Sequence, residues 1–322
     1  MRAPKGSTRR ARVRALAKIN LDLRVLGKRA DGYHELRTIF QTISLADTLE
    51  IAFTPGRATE IELRDDAGIP DNLVVRAARM AMDVTGAVGR VEMRLVKRIP
   101  VGAGLGGGSS DAAAVLLALP ALAGRPMGFG AMAELAGKLG SDVPFFLLGG
   151  TAVGIGRGTE LFPLPDAPAR AGVLVISERR VETAQAYAAL SPRLTSESQQ
   201  NKIVSFQSHT WDPIAGGPAA NDFEEVVFER HGRLASLKRE LIRAGASVAM
   251  MTGSGSALFG LFSDGEQASR ALRRLARPSG LSGVERALRI SLVTRARYRS
   301  MWRRTLKEYA LPDLWPPRSQ NR

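Results

Sequence analysis

The run Arg98-Ile-Pro-Val-Gly-Ala-Gly-Leu-Gly-Gly-Gly-Ser-Ser-Asp-Ala-Ala-Ala114 joins the end of a strand-like segment to a glycine-rich loop and then to an apolar helix. Five of the seven residues from 102 to 108 are glycine, so the backbone can bend sharply and bring its N–H groups close to a ligand. The N-terminus of the helix adds unpaired N–H groups and a partial positive charge. The run therefore predicts a phosphate-binding loop. The structural alternative is a glycine-rich turn before a buried helix.

Gly102, Gly104 and Gly107 form the pattern G-x-G-x-x-G, which on its own does not identify a protein class. A dinucleotide-binding fold needs a second strand and an acidic residue about 20 residues further on. Here residues 121–136 form a Gly/Pro/Ala-rich loop followed by a helical pattern. A Walker A loop needs a lysine after its glycines, and a protein kinase needs Val-Ala-Ile-Lys, His-Arg-Asp and Asp-Phe-Gly stretches. None of these features is present, which argues against all three classes.

The composition is that of a globular protein without cysteine chemistry. The chain has 322 residues, enough for two domains with substantial cores, and 44% of them are hydrophobic. No apolar run approaches the roughly 20 residues needed to span a bilayer. The absence of cysteine excludes disulfides and thiolate metal sites, and the three histidines, His34, His209 and His231, lack metal-ligand spacing.

The formal charge of +15, with a pI of about 11.0, is concentrated towards the two ends of the chain. Residues 1–18 contain seven Lys/Arg and no acid, and residues 266–308 are rich in arginine. Solvated basic ends are one interpretation, and a nucleic-acid-binding protein that uses those ends is the other, although no nucleic-acid-binding motif accompanies the charge. Residues 1–14 lack the apolar stretch of a secretory signal. We therefore expect a basic disordered tail on a cytoplasmic protein, and a second basic tail over residues 295–322.

Hydrophobic periodicity predicts the elements around the loop. Residues 17–25 alternate between apolar and polar, which predicts a half-buried strand with Lys18 and Asn20 on its polar face. Asp71 is the expected N-cap of a following helix, and the all-apolar segment 112–119 predicts a buried helix. Further predicted helices cover 131–139, 222–230, 234–244 and 267–275, predicted strands cover 91–95, 248–251 and 257–262, a long loop covers 191–218, and the Pro/Ala-rich segment 163–168 marks a domain boundary.

Beside the glycine loop, three further stretches suggest chemistry, and each has a structural alternative. Lys18 is either a solvated lysine on a strand or a functional cation. Asp142 lies two residues before Pro144 and is either a helix cap or a functional acid. The turn Thr252-Gly-Ser-Gly-Ser256 is either a hairpin turn or part of a site.

Taken together, these stretches resemble one family. The quoted motifs are Ala17-Lys-Ile-Asn-Leu21, Asp31-Gly-Tyr-His-Glu-Leu36, Ile99-Pro-Val-Gly-Ala-Gly-Leu-Gly-Gly-Gly-Ser-Ser110, Ser141-Asp-Val-Pro-Phe-Phe146 and Thr252-Gly-Ser-Gly255. In this order they are similar to the 4-diphosphocytidyl-2-C-methyl-D-erythritol kinases of the GHMP kinase superfamily. The glycine loop alone indicates only the superfamily, and the second and fourth motifs indicate the family. The resemblance runs from about residue 15 to about residue 293.

The resemblance implies a two-domain α/β (α+β) fold. Residues 15–163 would form an ATP-binding, ribosomal-protein-S5-like N-terminal domain, and residues 164–294 a ferredoxin-like C-terminal domain, with the site in the cleft. The implied reaction is ATP-dependent phosphorylation of the C2 hydroxyl of 4-diphosphocytidyl-2-C-methyl-D-erythritol, in the non-mevalonate pathway to isoprenoid precursors. Phosphoryl transfer needs positioning and charge stabilisation more than covalent help, so direct transfer is the implied route.

The resemblance also implies residue roles. Lys18 and Asp142 would be the catalytic pair, with Asp142 accepting or orienting the hydroxyl proton and Lys18 keeping Asp142 ionised. The residues implied to wrap the ATP phosphates are Pro100, Val101, Gly102, Ala103, Gly104, Leu105, Gly106, Gly107, Gly108, Ser109 and Ser110, and Ser110 would also serve Mg²⁺. Asn72 and Lys97 would approach the adenine, Tyr33 and His34 would hold the cytosine, and Asn20 and Thr183 would contact the substrate.

Two residues depart from or strain the pattern. Ser256 stands where the family commonly has proline, and Asp111 brings negative charge near the phosphates, so we expect its side chain to point away. The alternatives are another GHMP kinase, acting on homoserine or a mevalonate-type alcohol, and the nucleic-acid-binding protein. The pair Tyr33-His34 argues against the first, because those alcohols carry no base. We expect a small-molecule substrate, no specific nucleic acid, no membrane, and a monomer or homodimer.

Overall fold

Two β-sheets form the framework of the molecule. The computed structural model describes residues 7–179, 181–194, 202–203, 206, 219–275 and 284–309. The first sheet contains β1 (Arg9–Lys28), β2 (His34–Pro55), β3 (Glu60–Asp65), β4 (Gly89–Val96), β5 (Thr151–Gly156) and β6 (Glu160–Pro163). Its strand order is β3-β4-β2-β5-β6, with β1 paired antiparallel along β2. The second sheet contains β7 (Ala171–Ser177), β8 (Val248–Met251), β9 (Leu258–Phe262) and β10 (Val284–Ser291), in the order β10-β7-β9-β8.

Helices cover these sheets and follow the predicted pattern closely. The helices are α1 (Leu73–Thr85), α2 (Gly107–Ala123), α3 (Phe129–Leu139), α4 (Val143–Leu148), α5 (Thr183–Leu190), α6 (Phe223–Arg230), α7 (Gly232–Arg243), α8 (Gly265–Leu275) and α9 (Arg295–Thr305), with a 3-10 turn at Ser191–Arg193. Within the described ranges, none of these helices has the length and apolar character needed to cross a membrane. The predicted loop over 191–218 begins with the 3-10 turn, and most of it lies outside the described residues.

Helix α2 is the central helix of the first domain. Its residues from 110 to 120 are all buried, as the all-apolar sequence predicts. It packs against α1, α4, β1 and β2, and each large apolar side chain that it buries contributes about 1.5–3 kcal/mol to stability. Because α2 begins at Gly107, this packing fixes the position at which the glycine-rich loop ends.

The N-terminal basic segment is part of the first sheet, so the prediction of a disordered tail over 1–14 is wrong for its last residues. Strand β1 begins at Arg9 and pairs with β2 from its first residue. Ala11 and Val13 are buried, whereas Arg10 and Arg12 are exposed. The arginines thus form the solvent face of an amphipathic strand, since side chains alternate between the two faces. Residues 1–6 lie outside the described part of the chain.

The C-terminal basic segment also folds, so the predicted tail over 295–322 is wrong for residues 295–305. They form α9, and its N-cap Thr294 accepts a hydrogen bond from the backbone N–H of Arg297 at 3.2 Å. Tyr298 and Trp302, four residues apart, lie on one face and are buried in the core of the first domain. Two aromatic side chains therefore anchor a helix whose other positions are mostly charged. Residues 310–322 lie outside the described part.

The N-cap of α1 is Asn72 and not the predicted Asp71. The Asn72 Oδ1 accepts a hydrogen bond from the Val74 N–H at 3.0 Å, and its Nδ2 donates to Asp65 Oδ2 at 2.9 Å. Asp71 instead occupies the left-handed region, with φ of +48°. Pro70 and Asp71 form a turn before the helix, so the N-cap falls on the next residue, Asn72.

The two sheets divide along the sequence between Pro163 and Ala171, next to the predicted boundary at 163–168. They meet through β1, since Ile19 and Leu21 belong to the same apolar cluster as Phe259 and Leu261 of β9. Leu23 also forms an isolated parallel bridge with Asn221. The predicted half-buried character of residues 17–25 is therefore wrong, because the second domain covers the strand and leaves its polar residues buried as well.

Candidate active site

Lys18 and Asp142 meet at the junction of the two domains. The Lys18 Nζ lies 3.4 Å from Asp142 Oδ2, and the two side chains are 5% and 34% exposed. Asp142 is the residue before α4, but its side chain makes no capping hydrogen bond. The helix-cap interpretation is therefore excluded. The carboxylate has one buried cationic partner and an open side.

Asn20 holds the lysine in place. Its Oδ1 accepts hydrogen bonds from Lys18 Nζ at 2.9 Å and from the Gly253 N–H at 3.0 Å. Its Nδ2 donates to Thr38 Oγ1 at 2.6 Å, and the residue is fully buried. We expected Asn20 to contact a substrate. Its amide fixes the lysine and joins the first domain to the Thr252–Ser256 turn, and the substrate contact stays a prediction.

The glycine loop is attached to the same strand and the same turn. The backbone N–H of Lys18 donates to the Leu105 carbonyl at 3.0 Å. Gly104 has φ of +79°, and a Cβ on it would overlap the Thr252 carbonyl. Gly106 has φ of +68°, and a Cβ there would collide with the Phe146 ring and the Lys18 side chain. Only glycine fits either position, because both the left-handed backbone and the lack of space exclude a side chain.

A cavity of about 800 Å³ opens beside this loop. The predicted site residues that line it are Lys18, Asn20, Tyr33, His34, Gly104, Gly106, Ser109, Asp142 and Thr183. Thr183 and Ser254 of the second domain, whose hydroxyls lie 2.8 Å apart, line it opposite first-domain residues such as Lys18, so both domains contribute to the wall. The structure thus brings the proposed catalytic pair, part of the glycine loop and the proposed substrate residues to one cavity.

Aromatic rings form another part of the cavity wall. Tyr33 is half exposed, and the guanidinium carbon of Arg157 lies 3.5 Å from its ring centroid. The His34 ring stacks on Tyr187 with centroids 4.5 Å apart, and His34 Nε2 lies 2.8 Å from Ser191 Oγ. Burial, with the nearby charge of Lys28, lowers the pKa of His34, so the ring is neutral at pH 7.

Comparison with known proteins identifies the family. Residues 72–150 match the model of the GHMP kinases N terminal domain, and residues 209–279 match the GHMP kinases C terminal model. A 4-diphosphocytidyl-2-C-methyl-D-erythritol kinase of Solibacter usitatus is 64% identical over 318 residues, which cover 98% of each chain. This chain belongs to the 4-diphosphocytidyl-2-C-methyl-D-erythritol kinase family. The resemblance read from the sequence motifs is confirmed.

Other members and solved structures agree with the family and the fold. The 4-diphosphocytidyl-2-C-methyl-D-erythritol kinase of Pelotomaculum thermopropionicum is 43% identical over 82% of this chain and 93% of its own. The crystal structure of a 4-(cytidine 5'-diphospho)-2C-methyl-D-erythritol kinase superposes with a TM-score of 0.73, at 36% identity, over 87% of this chain and 98% of that chain. A homoserine kinase from Cytophaga hutchinsonii reaches a TM-score of 0.71 at 16% identity, which supports the fold alone. The predicted two-domain GHMP kinase fold is confirmed.

Lys97 and Asn72, expected near the adenine, are engaged with neighbouring protein groups. The Lys97 Nζ lies 2.5 Å from Asp47 Oδ2 and 2.7 Å from Asp111 Oδ2. The Asp47 Oδ1 accepts hydrogen bonds from the N–H groups of Arg98 at 2.5 Å and Ile99 at 2.8 Å. Asp47 thereby ties the start of the glycine loop to β2. Sequence reasoning missed Asp47, which lies in an ordinary strand pattern.

Ser110 and Asp111 both point into the protein. Ser110 is buried, and its Oγ donates to the Leu16 carbonyl at 2.7 Å, so Ser109 is the serine that lines the cavity. The expectation that Asp111 points away from the loop's ligand face is consistent with its burial and its pairing with Lys97. Burial raises the pKa of Asp111 to about 7, although the charge of Lys97 opposes this.

Sequence reasoning also missed Tyr187 and Arg157. Tyr187 lies four residues after Thr183 on α5, and both line the cavity, so helical spacing from Thr183 was the available signal. Burial, with a smaller effect of the Asp142 charge, raises the pKa of Tyr187 to about 12, so its hydroxyl stays protonated. Arg157 lies between β5 and β6 in a glycine-rich turn that gave no local indication of its position over Tyr33.

Proposed function

We propose that this chain is an ATP-dependent kinase that phosphorylates the C2 hydroxyl of 4-diphosphocytidyl-2-C-methyl-D-erythritol, in the non-mevalonate pathway to isoprenoid precursors. The observation that carries the chemistry is the Lys18–Asp142 pair, with Nζ and Oδ2 3.4 Å apart in the wall of the cavity that Gly104 and Gly106 also line. The family relationship to the Solibacter usitatus kinase supplies the substrate.

Asp142 acts on the acceptor alcohol. Its carboxylate accepts the hydroxyl proton, or orients it, while the alcohol oxygen attacks the γ-phosphorus of ATP and the bond to the bridging oxygen of ADP breaks. Lys18 holds the carboxylate in place through their ion pair at the cavity wall. The same ammonium stabilises negative charge on the phosphoryl group as it transfers. One direct displacement completes the reaction, without a phosphoenzyme.

The glycine loop and the start of α2 bind the ATP phosphates. Gly106 is the N-cap of α2, so the first N–H groups of the helix are available to an anion at the end of the loop. Asn72 and Lys97 are proposed as neighbours of the adenine, since Lys97 and Leu73 both approach the loop at Gly107 and Gly108. In this arrangement Asp47 and Asp111 fix Lys97 while the loop holds the triphosphate.

A magnesium ion fits the donor chemistry of the cavity. The described residues contain no group of three or more His, Asp or Glu that could hold a metal by themselves. Ser109 and Asp142 offer oxygen atoms at the cavity wall. This sparse set suits Mg²⁺, which keeps several waters and binds through one or two carboxylates and the substrate phosphates. When bound, Mg²⁺ neutralises charge on the phosphates. Ser110, buried against Leu16, is less suited to this role than Ser109.

The aromatic wall is suited to a substrate that carries a nucleobase. Tyr33 and Tyr187 line the cavity with aromatic rings of the kind that stack on bases, and neutral His34 has one donor and one acceptor nitrogen. Homoserine and mevalonate have no base to stack, so the wall favours the cytidyl alcohol over the substrates of the other GHMP kinases. Thr183, beside Ser254, is proposed to contact the same substrate.

A coupled assay of ADP release tests the function. With ATP and Mg²⁺ present, the cytidyl alcohol, homoserine and mevalonate are compared at equal concentrations. We expect turnover with the cytidyl alcohol at least about 10³-fold above the other two, because a site built for polar base recognition rejects compounds without those groups. Preferred turnover of homoserine or mevalonate would replace this proposal with that of another GHMP kinase.

A further inference from the structure

The short helix α4 carries Asp142 into the cavity. It has six residues, Val143–Leu148, and begins directly after the aspartate. Because Asp142 makes no capping bond to this helix, its side chain does not help to fix the helix in place. A helix of this length has few internal hydrogen bonds, so its position depends on its neighbours. The position of Asp142 therefore depends on the core that buries α4 and on the residues that hold the far end of this helix.

Tyr298 of α9 holds that far end. Its Oη donates a hydrogen bond to the carbonyl of Phe146 at 2.6 Å, and the side chain is buried in the core of the first domain. The ring also fills the space beside Gly149, the residue that ends α4, where a Cβ would overlap it. The tyrosine thus satisfies one of the carbonyl groups that a helix leaves unpaired at its C-terminus.

Arg295 fixes the beginning of α9 against the same segment. Its Nε donates to the Gly149 carbonyl at 3.2 Å, its Nη1 donates to the Leu164 carbonyl at 3.0 Å, and its Nη2 donates to the Thr151 carbonyl. Its backbone N–H donates to Asp166 Oδ1 at 2.6 Å. A planar guanidinium with several acceptors has little freedom to move. The residue thereby joins the end of α4, the start of β5 and the domain boundary.

We infer that Tyr298 and Arg295 are positioning residues for the kinase reaction, which act through α4 to set the place of Asp142 beside Lys18. This inference rests on the proposed function, because it assumes that Asp142 meets the acceptor alcohol. Helix α9 lies beyond the residues matched by either GHMP kinase model, 72–150 and 209–279. A displacement of about 1 Å at a reacting group can lower a rate by up to about 100-fold.

The test is the variant Tyr298→Phe, with Met301→Ala as the matched control on the same helix. The first removes the hydroxyl that bonds Phe146, and the second truncates a partly buried side chain of α9 that packs against the same core and leaves that hydroxyl in place. We expect both variants to melt at a lower temperature. For folded Tyr298→Phe we expect kcat to fall about 5- to 20-fold, with KM for ATP and for the cytidyl alcohol unchanged within about 2-fold. Met301→Ala should keep the wild-type kcat.

The results of these measurements distinguish failure of the positioning role from failure of the proposed function. Equal kcat in Tyr298→Phe and the wild type would overturn the positioning role, and so would an equal loss of kcat in both variants, since that would reflect general loosening of α9. Absence of turnover in the wild-type enzyme would instead refute the proposed function. If Tyr298→Phe fails to fold, Arg295→Lys is measured in its place, because it keeps the charge but loses the forked contacts to three carbonyls.

Discussion

Two buried lysines adjoin the glycine loop, and they differ in their acidic partners. The side chains of Lys18 and Lys97 are only 5% and 8% exposed. Lys18 pairs with Asp142, which is 34% exposed at the cavity, whereas Lys97 pairs with Asp47 and Asp111, which are 0% and 2% exposed. The carboxylate that an alcohol can reach belongs to the first pair. Access to the carboxylate, and not the presence of a lysine–carboxylate pair, distinguishes the pair proposed to be catalytic from the enclosed one.

The geometry of the second pair explains what it does. Asp47 Oδ1 receives two consecutive backbone N–H groups, of Arg98 and Ile99, while Oδ2 faces Lys97. Charge-assisted hydrogen bonds of this kind are about twice as strong as neutral ones. Asp111 extends the contact to the first turn of α2. The network thus connects β2, the entrance of the loop and the helix behind it.

The largest expected effect on turnover comes from neutralising Asp142, the acidic member of the Lys18–Asp142 pair. Asp142→Asn keeps the shape of the side chain and removes its negative charge, so we expect kcat to fall about 10³-fold while the Kd for ATP changes by less than about 2-fold. ADP release measures the first quantity and calorimetric titration with ATP the second. Asp83→Asn, at an exposed position on α1, is the control. Wild-type turnover in Asp142→Asn would remove Asp142 from the reaction.

Replacing each lysine by methionine tests the comparison directly. Lys97→Met leaves Asp47 and Asp111 buried without a countercharge, so we expect a loss of about 3–5 kcal/mol in the free energy of unfolding. Lys18→Met leaves Asp142 open to water, so we expect a loss of at most about 1 kcal/mol together with loss of turnover. Urea unfolding and ADP release measure the two properties. Equal destabilisation by both substitutions would contradict the distinction between the pairs.

The smallest expected effect concerns the pH dependence of stability. Burial raises the pKa of Asp111 to about 7, whereas an unfolded chain has about 3.9 for aspartate. Between about pH 4 and pH 7 the folded protein therefore holds a proton that the unfolded chain has lost, so stability falls as the pH rises through that window. The slope that this group contributes is about 1 kcal/mol per pH unit.

Asp111→Asn should remove that contribution. Urea unfolding at pH 5, 6 and 7 gives the slope for each protein separately, so any constant change caused by the lost ion pair with Lys97 drops out. We expect a shallower decline of stability with pH in the variant than in the wild type. Two parallel curves would show that Asp111 has an ordinary pKa in the folded protein.

Much of the first domain and the outline of the site could be predicted from the sequence, because their signals are local or belong to the family motifs. The glycines and the apolar run after them indicate the loop and α2 without any long-range information. The meeting of Lys18 with Asp142 is different, since 124 positions separate them. It followed from the order of the family motifs and not from periodicity. The roles proposed for these residues await the kinetic tests.

The features that sequence analysis missed depend on long-range contacts, which local sequence patterns do not encode. Asp47 has no motif around it, and its partners Lys97 to Ile99 lie 50 or more residues further on. The prediction of unfolded chain ends was wrong for another reason. Their many arginines obscured the few apolar residues that have strand or helix spacing. Ala11 and Val13 alternate with arginine in β1, and Tyr298 and Trp302 have helical spacing in α9. A few apolar side chains are enough to fold a highly charged segment when a core is available to receive them.

Because Gly104 packs closely against the Thr252 carbonyl, the first domain expressed alone would lack a contact of its glycine-rich loop. All residues of the glycine-rich loop lie in the first half of the chain, but the Thr252–Ser256 turn from the second half packs against it and donates a hydrogen bond to Asn20. A fragment that stopped near residue 163 would retain the whole signature and lack the surface that shapes it. The conformation of the loop thus depends on both domains, and the glycine motif alone does not determine it.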